Sequence, residues 1–325
     1  MRFFLALVLG LAVLSAQPPP AVLFDHTRLE EAGISAEWVI CSGSEPDPAP
    51  ADPDSERQWN GAISSWAFDL HRSGYQVSTL PPWGRITWQD PGNSQDLSRY
   101  AVYVLPEPYL YFNAGEKAAI LAFVRSGGGL FLVGNHLGAT RASGEAPGST
   151  DAFHVFNDLL GEGQGNPFGF TFVAGHGHGD PWADTVSTAF SAADGPAERA
   201  ILHGPYGNLV DMDFHAYAYL ALDPQANPSV RELLATQVPG DRGSFIATCT
   251  LGSGRVVAIS DSAPMDDGTS TTPHKRLHPS WASHSNRAFF LNATRYLAGA
   301  GAPLRTPPPP RRSTGAGTPA PSPGH

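Results

Sequence analysis

The chain has 325 residues and sets 20 basic side chains against 30 acidic ones, a formal charge of −10 at pH 7. Arg2, Arg305, Arg311 and Arg312 lie in the two ends and no acid does, so the body between them stands at −14, a surface that repels phosphate backbones and argues against nucleic acid as a partner. No run beyond the first residues is apolar for long enough to cross a membrane, and Cys41 and Cys249 allow either one disulfide or two small buried thiols.

The first stretch, MRFFLALVLGLAVLSA, has one basic residue, an apolar run from Phe3 to Leu14 and small residues before Gln17. This is the pattern of a signal peptide over 1–16, which predicts a secreted or periplasmic protein. Residues 303–325 are rich in proline and poor in apolar side chains, so they are expected to form a disordered tail. Residues 21–302 then suit one large α/β domain.

The chain enters that domain through AVLFDHT (21–27), a short buried strand. A Pro/Asp/Ser-rich loop follows. Trp59, Ile63, Trp66, Ala67 and Leu70 then recur at helical spacing, with Gly74 placed to end the helix. YQVSTL (75–80) and AVYVLPEP (101–108) read as the second and third strands. Asn113 and Glu116 predict a capping box on a helix whose apolar stripe is Ala119, Ile120, Phe123 and Val124, closed by Gly127-Gly128-Gly129. LFLVGNH is the fourth strand. This alternation predicts a three-layer α/β sandwich with a mostly parallel sheet, of the flavodoxin-like kind.

The second half is less regular, and an insertion is expected over about 160–245. DAFHVFNDLL (151–160) is helical in pattern, VDMDFHAYAYLAL (210–222) alternates like a strand, and SFIATCTLGSGRVVAIS (244–260) reads as a hairpin. A last helix is expected near 286–297.

Ligands in open parallel sheets bind beyond the carboxyl ends of the strands. Those ends deliver Asp25 and His26, Glu107, Asn135 and His136, and Asp261 and Ser262. Each of these alone is more often a turn residue. Four apolar strands ending in polar groups at one edge form what a metal site or an acid–base pair requires.

The stretch VGNHLGA resembles the nucleophile elbow of the class I glutamine amidotransferase-like (GATase1-like) superfamily, whose pattern is G-x-C-x-G. VLFDHTRLEEAGISAEWVI, the segment from VYVLPEP to VGNH, and AISDSAP are similar to an exported bacterial subgroup. Gly134 and Gly138 match the glycines, but His136 occupies the nucleophile position. Neither cysteine falls there, so amidotransferase or cysteine-peptidase chemistry is not expected. The resemblance implies the fold and leaves the reaction open.

Three classes of function fit these residues. The first is an exported hydrolase assisted by a divalent metal. Asp25, His136 and Asp261 would hold the metal, with Glu107, His136 and Ser262 as catalytic groups. Arg141, Asn135 and Tyr109 would be substrate contacts. The second is a non-catalytic module for a glycan or other small ligand, with Trp38, Tyr109, Tyr111 and Trp281 available to stack on sugars. The third is a structural domain of an exported assembly. Further histidines stand in GHGHGD (His176, His178, with Asp180), in DMDFHAY (Asp211, Asp213, His215) and in the loop 261–284 (His274, His278, His284). On a strand Asp211, Asp213 and His215 would share a face.

Overall fold

The computed structural model describes residues 19–33, 35–41, 59–140, 142, 146–161, 165–174, 185–237, 243–271, 275 and 277–299. The signal-peptide segment, the Pro-rich tail, Arg141, His176, His178, Asp180 and His274 lie outside them.

Four parallel pairings build the half of the sheet that carries the site. β1 (Ala21–Asp25) lies between β2 (Gln76–Leu80) and β3 (Val102–Pro106), and β4 (Gly129–Val133) lies between β3 and β11 (Gly254–Ile259). The order is therefore β2-β1-β3-β4-β11, with all five carboxyl ends on one edge. Beyond β11 the sheet continues antiparallel through β10 (Ser244–Leu251), β8 (Tyr219–Leu222) and β5 (Phe170–Val173), and β9 (Arg231–Ala235) also pairs with β10. The expected α/β sandwich is present, and the irregular section supplies its antiparallel extension.

Residues alternate between two cores because side chains alternate across a strand. Val22, Phe24, Val104, Phe131 and Ile259 face one side, where α1 (Ser64–Arg72) and α5 (Asn286–Ala298) pack. Leu23, Tyr103, Leu105, Leu132 and Ala258 face the other, against α2 (Ala114–Arg125) and α3 (Ala152–Leu160). Burial on both faces explains why the strands read as unbroken apolar runs. Trp66 anchors the first core, with ring centroids 4.7 Å from Phe290, 5.0 Å from Phe24 and 5.1 Å from Phe131. Truncating so large a buried ring costs about 3–5 kcal/mol.

Two boundaries differ from expectation. Trp59 and Ile63 are buried but precede α1, which begins at Ser64. The 210–222 stretch is two strands: β7 (Met212–Phe214) pairs with β6 (Thr185–Ser187) in a separate small sheet, and only β8 joins the main one. The helix α4 (Pro196–Leu202) follows β6. The capping box on α2 forms as read, with Asn113 Oδ1 accepting from Glu116 N at 3.0 Å and Glu116 Oε2 from Asn113 N at 2.8 Å.

Candidate acid–base site at the sheet edge

Glu107 is the first residue beyond β3, fully buried, and its φ is +55°. A side chain with a Cβ in this left-handed region costs of order 1–3 kcal/mol and persists where surrounding bonds hold it. Here its N–H donates to Val133 O at 2.9 Å, and Oε1 accepts from Tyr109 Oη at 2.7 Å and from Asn135 Nδ2 at 2.8 Å. Asn135 Nδ2 also donates to Ser262 Oγ at 3.0 Å, and Asn135 Oδ1 accepts from His136 N at 2.7 Å. The ends of β3, β4 and β11 are thus tied through one asparagine.

Asp261 stands beside this chain. Its Oδ2 accepts from His215 N at 2.9 Å and its Oδ1 from Ala263 N at 3.2 Å. Burial raises its carboxyl to about 7, the nearby Glu107 carboxylate adds to the rise, and the backbone donors oppose it. The His215 ring packs on that of His278, with centroids 3.9 Å apart. His136 and His278 are half-buried, while Glu107, Asn135, Asp261 and Ser262 lie beneath.

Asp25 belongs to a different group. Its Oδ1 accepts from Tyr103 Oη at 2.9 Å and Thr27 Oγ1 at 3.0 Å. Glu30 is also fully buried, with Oε2 accepting from Arg28 N at 2.7 Å. Burial raises both the Asp25 and Glu30 carboxyls; the Asp25 charge raises Glu30 further, whereas Arg28 and a hydrogen bond from Glu30 oppose the shift at Asp25. His26 is held neutral, because burial lowers its imidazole to about 4.

This division overturns the metal shell expected from Asp25, His136 and Asp261. Two strands separate β1 from β11, so at about 4.8 Å per strand the two aspartates end strands roughly 14 Å apart, too far to ligate one ion. Among the described residues no group of three or more His, Cys, Asp or Glu is placed to hold a metal ion.

Other expectations also change. Tyr109 is completely buried and orients Glu107, and the Asn135 amide is engaged by Glu107 and Ser262, so both position the site from within. Trp38 and Trp281 are buried as well, which leaves Tyr111, half exposed, as the accessible member of the aromatic set. His136 turns Nδ1 to Leu137 O at 2.8 Å and sits next to Asn135 at the rim. Asp211 pairs with His284 at 2.8 Å, Asp213 accepts from Asn286 Nδ2 at 2.5 Å, and His215 alone of that trio reaches the site. Its backbone link to Asp261 had no signal in sequence, since it depends on the turn after β7. Cys249 is buried and Cys41 half-buried, and no disulfide joins the two.

Asp266 and Asp267 tie the described part of the 261–284 loop to the core. Asp266 accepts from Gly268 N at 2.7 Å and from His278 N at 2.5 Å, and Trp281 N donates to Asp266 O at 2.8 Å. Asp267 Oδ2 accepts from Ser64 Oγ at 2.9 Å and Ser65 N at 2.7 Å, which places a carboxylate at the N-terminus of α1. On the other side, Asp151 accepts from Gly138 N at 2.7 Å, Thr140 N at 2.6 Å and Thr140 Oγ1, fixing the turn after β4.

No family model and no curated protein matches the chain. Solved structures do. The mmIFT52 N-terminal domain has a TM-score of 0.53 at 13% identity, covering 86% of this chain and 98% of that one. A thua-like protein from Parabacteroides merdae has a TM-score of 0.45 at 12% identity, covering 90% and 94%. The cytoplasmic protein STM1381 from Salmonella typhimurium LT2 has a TM-score of 0.45 at 12% identity, covering 85% and 99%. The first of these likenesses shows a shared fold and nothing of activity.

Proposed function

We propose that this chain is an exported GATase1-like hydrolase that works by general acid–base catalysis at the carboxyl edge of its parallel strands. Asp261 is the acid and Glu107 the base. The observation that carries the reading is the pairing of a carboxyl raised to about 7 with a second carboxylate held at positive φ by two directed donors. A carboxyl that retains its proton near neutral pH suits the acid role, and Glu107, aimed by Tyr109 and Asn135, would serve as the base. Asp261 would deliver its proton to the leaving atom as the bond breaks. Glu107 would take a proton from the attacking water. Asn135 keeps Glu107 and Ser262 in register, and half-buried His136 and His278 are the groups an incoming substrate meets first.

The scissile bond is of the ester, amide or glycosidic class, on a small polar molecule. A panel of chromogenic esters, anilides and glycosides tests this. One class should be turned over, and Glu107→Gln and Asp261→Asn should each lower the rate about 10²–10⁴-fold.

A second reading, a non-catalytic module for a small ligand, is favoured by the depth of the two carboxyls, both at most 2% exposed. Ligand-induced stabilisation without turnover of any class in that panel would select it.

A further inference from the structure

A concavity lies on the α2 side of the sheet, apart from the Glu107–Asp261 group. It is an open cleft of about 660 Å³ between the loop after β2 and the first turns of α2. That volume is within the usual range of small-molecule sites.

The two walls differ in chemistry. On α2 the lining residues are Glu116 and, spaced so that one face of the helix carries no long side chain, Gly115, Ala118, Ala119 and Ala122. Opposite stands Trp88, half-buried, its ring centroid 6.1 Å from Phe123 in an edge-on contact. Trp83 precedes the lining residue Gly84 and is 68% exposed, the most exposed large apolar side chain among the described residues. Polar groups complete the cleft: Arg85 Nη1 donates to Asp90 Oδ2 at 3.0 Å, and Asn113 stands at the α2 end.

The loop is built to hold this shape. Asp96 accepts from Thr87 Oγ1 at 2.6 Å, from Gln89 N and Asp90 N at 2.9 Å, from Ser98 N at 3.0 Å and from Ser98 Oγ at 2.6 Å. These bonds hold its carboxyl well below the ordinary carboxylate range despite some burial. Asn93 Nδ2 donates to Arg85 O and Thr87 Oγ1, each at 2.8 Å, and Gln89 is kept at a φ of +59°. A surface loop with this many internal bonds, and with Trp88 packed on Phe123, keeps Trp88 in place before any ligand arrives, which lowers the cost of binding.

We infer that this cleft binds a neutral oligosaccharide, with a pyranose face on Trp88 and Trp83 and the ring hydroxyls on the Arg85–Asp90 pair and Asn113. The chemistry points to a sugar because a flat apolar face and a rim of hydroxyls match an aromatic wall bordered by planar donors and acceptors. It points to an uncharged one because the cationic Arg85 is already paired with Asp90, and Glu116 is a further acid in the lining.

The test is calorimetric titration of the full chain with the hexasaccharides of β-1,4-linked glucose, N-acetylglucosamine, xylose and mannose, and with a decaproline peptide. At least one sugar should bind saturably. Trp83→Ala should weaken that binding about tenfold. Ala118→Trp, which adds a ring at an exposed helix position and removes no contact, should abolish it. Asp261→Asn should leave the affinity unchanged, so a failed hydrolase assay and a failed sugar titration remain separate results. The proposal is overturned if no sugar binds, if binding survives both cleft variants, or if decaproline binds with that sensitivity and the sugars do not.

Discussion

Asn135 Nδ2 donates to Glu107 Oε1 at 2.8 Å, so the second residue after β4 holds in place the side chain of the strained residue after β3. Removing the amide in Asn135→Ala leaves a buried carboxylate short of a donor, at a cost of about 1–3 kcal/mol. Glu107 should lose its fixed orientation, and hydrolysis should fall with stability in the same variant. A fully active Asn135→Ala protein would contradict this.

The strain at Glu107 has its own signature. Glycine accepts a φ of +55° without the Cβ penalty. Glu107→Gly should therefore melt above Glu107→Ala, by an amount equivalent to about 1–2 kcal/mol, although both are inactive. Equal melting temperatures would mean that the backbone relaxes once the side chain is gone.

Much of this arrangement is legible in the sequence. Apolar runs that stop at Asp25, Glu107, Asn135 and Asp261 place all four residues at the carboxyl edge, because parallel strands of similar length end together. The sequence does not reveal the spatial order of the strands. β3 and β4 lie between β1 and β11, and this separates Asp25 from Asp261 and dissolves the metal shell. The elbow resemblance draws attention to His136, between Gly134 and Gly138, whereas the residue at the sheet edge with a positive φ is Glu107. No local pattern marks it, since its backbone is bonded to Val133 O on the neighbouring strand and its side chain to Asn135 and Tyr109. Glu30 and His215 were missed as partners of the carboxyls for the same reason.

Stability should decline as pH rises toward neutrality. Asp261 has a folded value near 7 against 3.8 for the free group, so between those values the folded chain binds the extra proton and stability falls with pH, by at most roughly 4 kcal/mol. Asp25, Glu30, Asp266 and Asp267 are raised in the same direction. His26, lowered to about 4 from 6.5, acts oppositely, adding stability as pH rises through that window. The five carboxyls outweigh the one imidazole. Denaturant unfolding should give a more stable protein at pH 5 than at pH 8, and Asp261→Asn should flatten the slope. Greater stability at pH 8 would contradict the assignment.

Asp267 caps α1 from about 200 residues away along the chain. Asp267→Ala should cost about 1–2 kcal/mol by leaving the Ser65 N–H without its acceptor, and Asp267→Asn, which keeps an oxygen there, should cost less. Neither should change the pH at which activity is half-maximal.

Export is tested by sequencing the N-terminus of protein recovered from the host. It should begin near Gln17. Retention of Met1 in protein released by the cells would remove the leader from the account.

The central claim is that Asp261 keeps a proton near neutral pH because it is buried beside Glu107. Carbon NMR of the aspartate side-chain carboxyls, with Asp261 assigned by its absence in Asp261→Asn, measures this without any substrate. The account predicts a midpoint near 7 in the native chain. Glu107→Gln should lower it part of the way toward the ordinary aspartate value, because burial is the larger cause and the Glu107 charge a smaller one. A midpoint near 4 in the native chain, or one that does not move in Glu107→Gln, would contradict the acid–base pair.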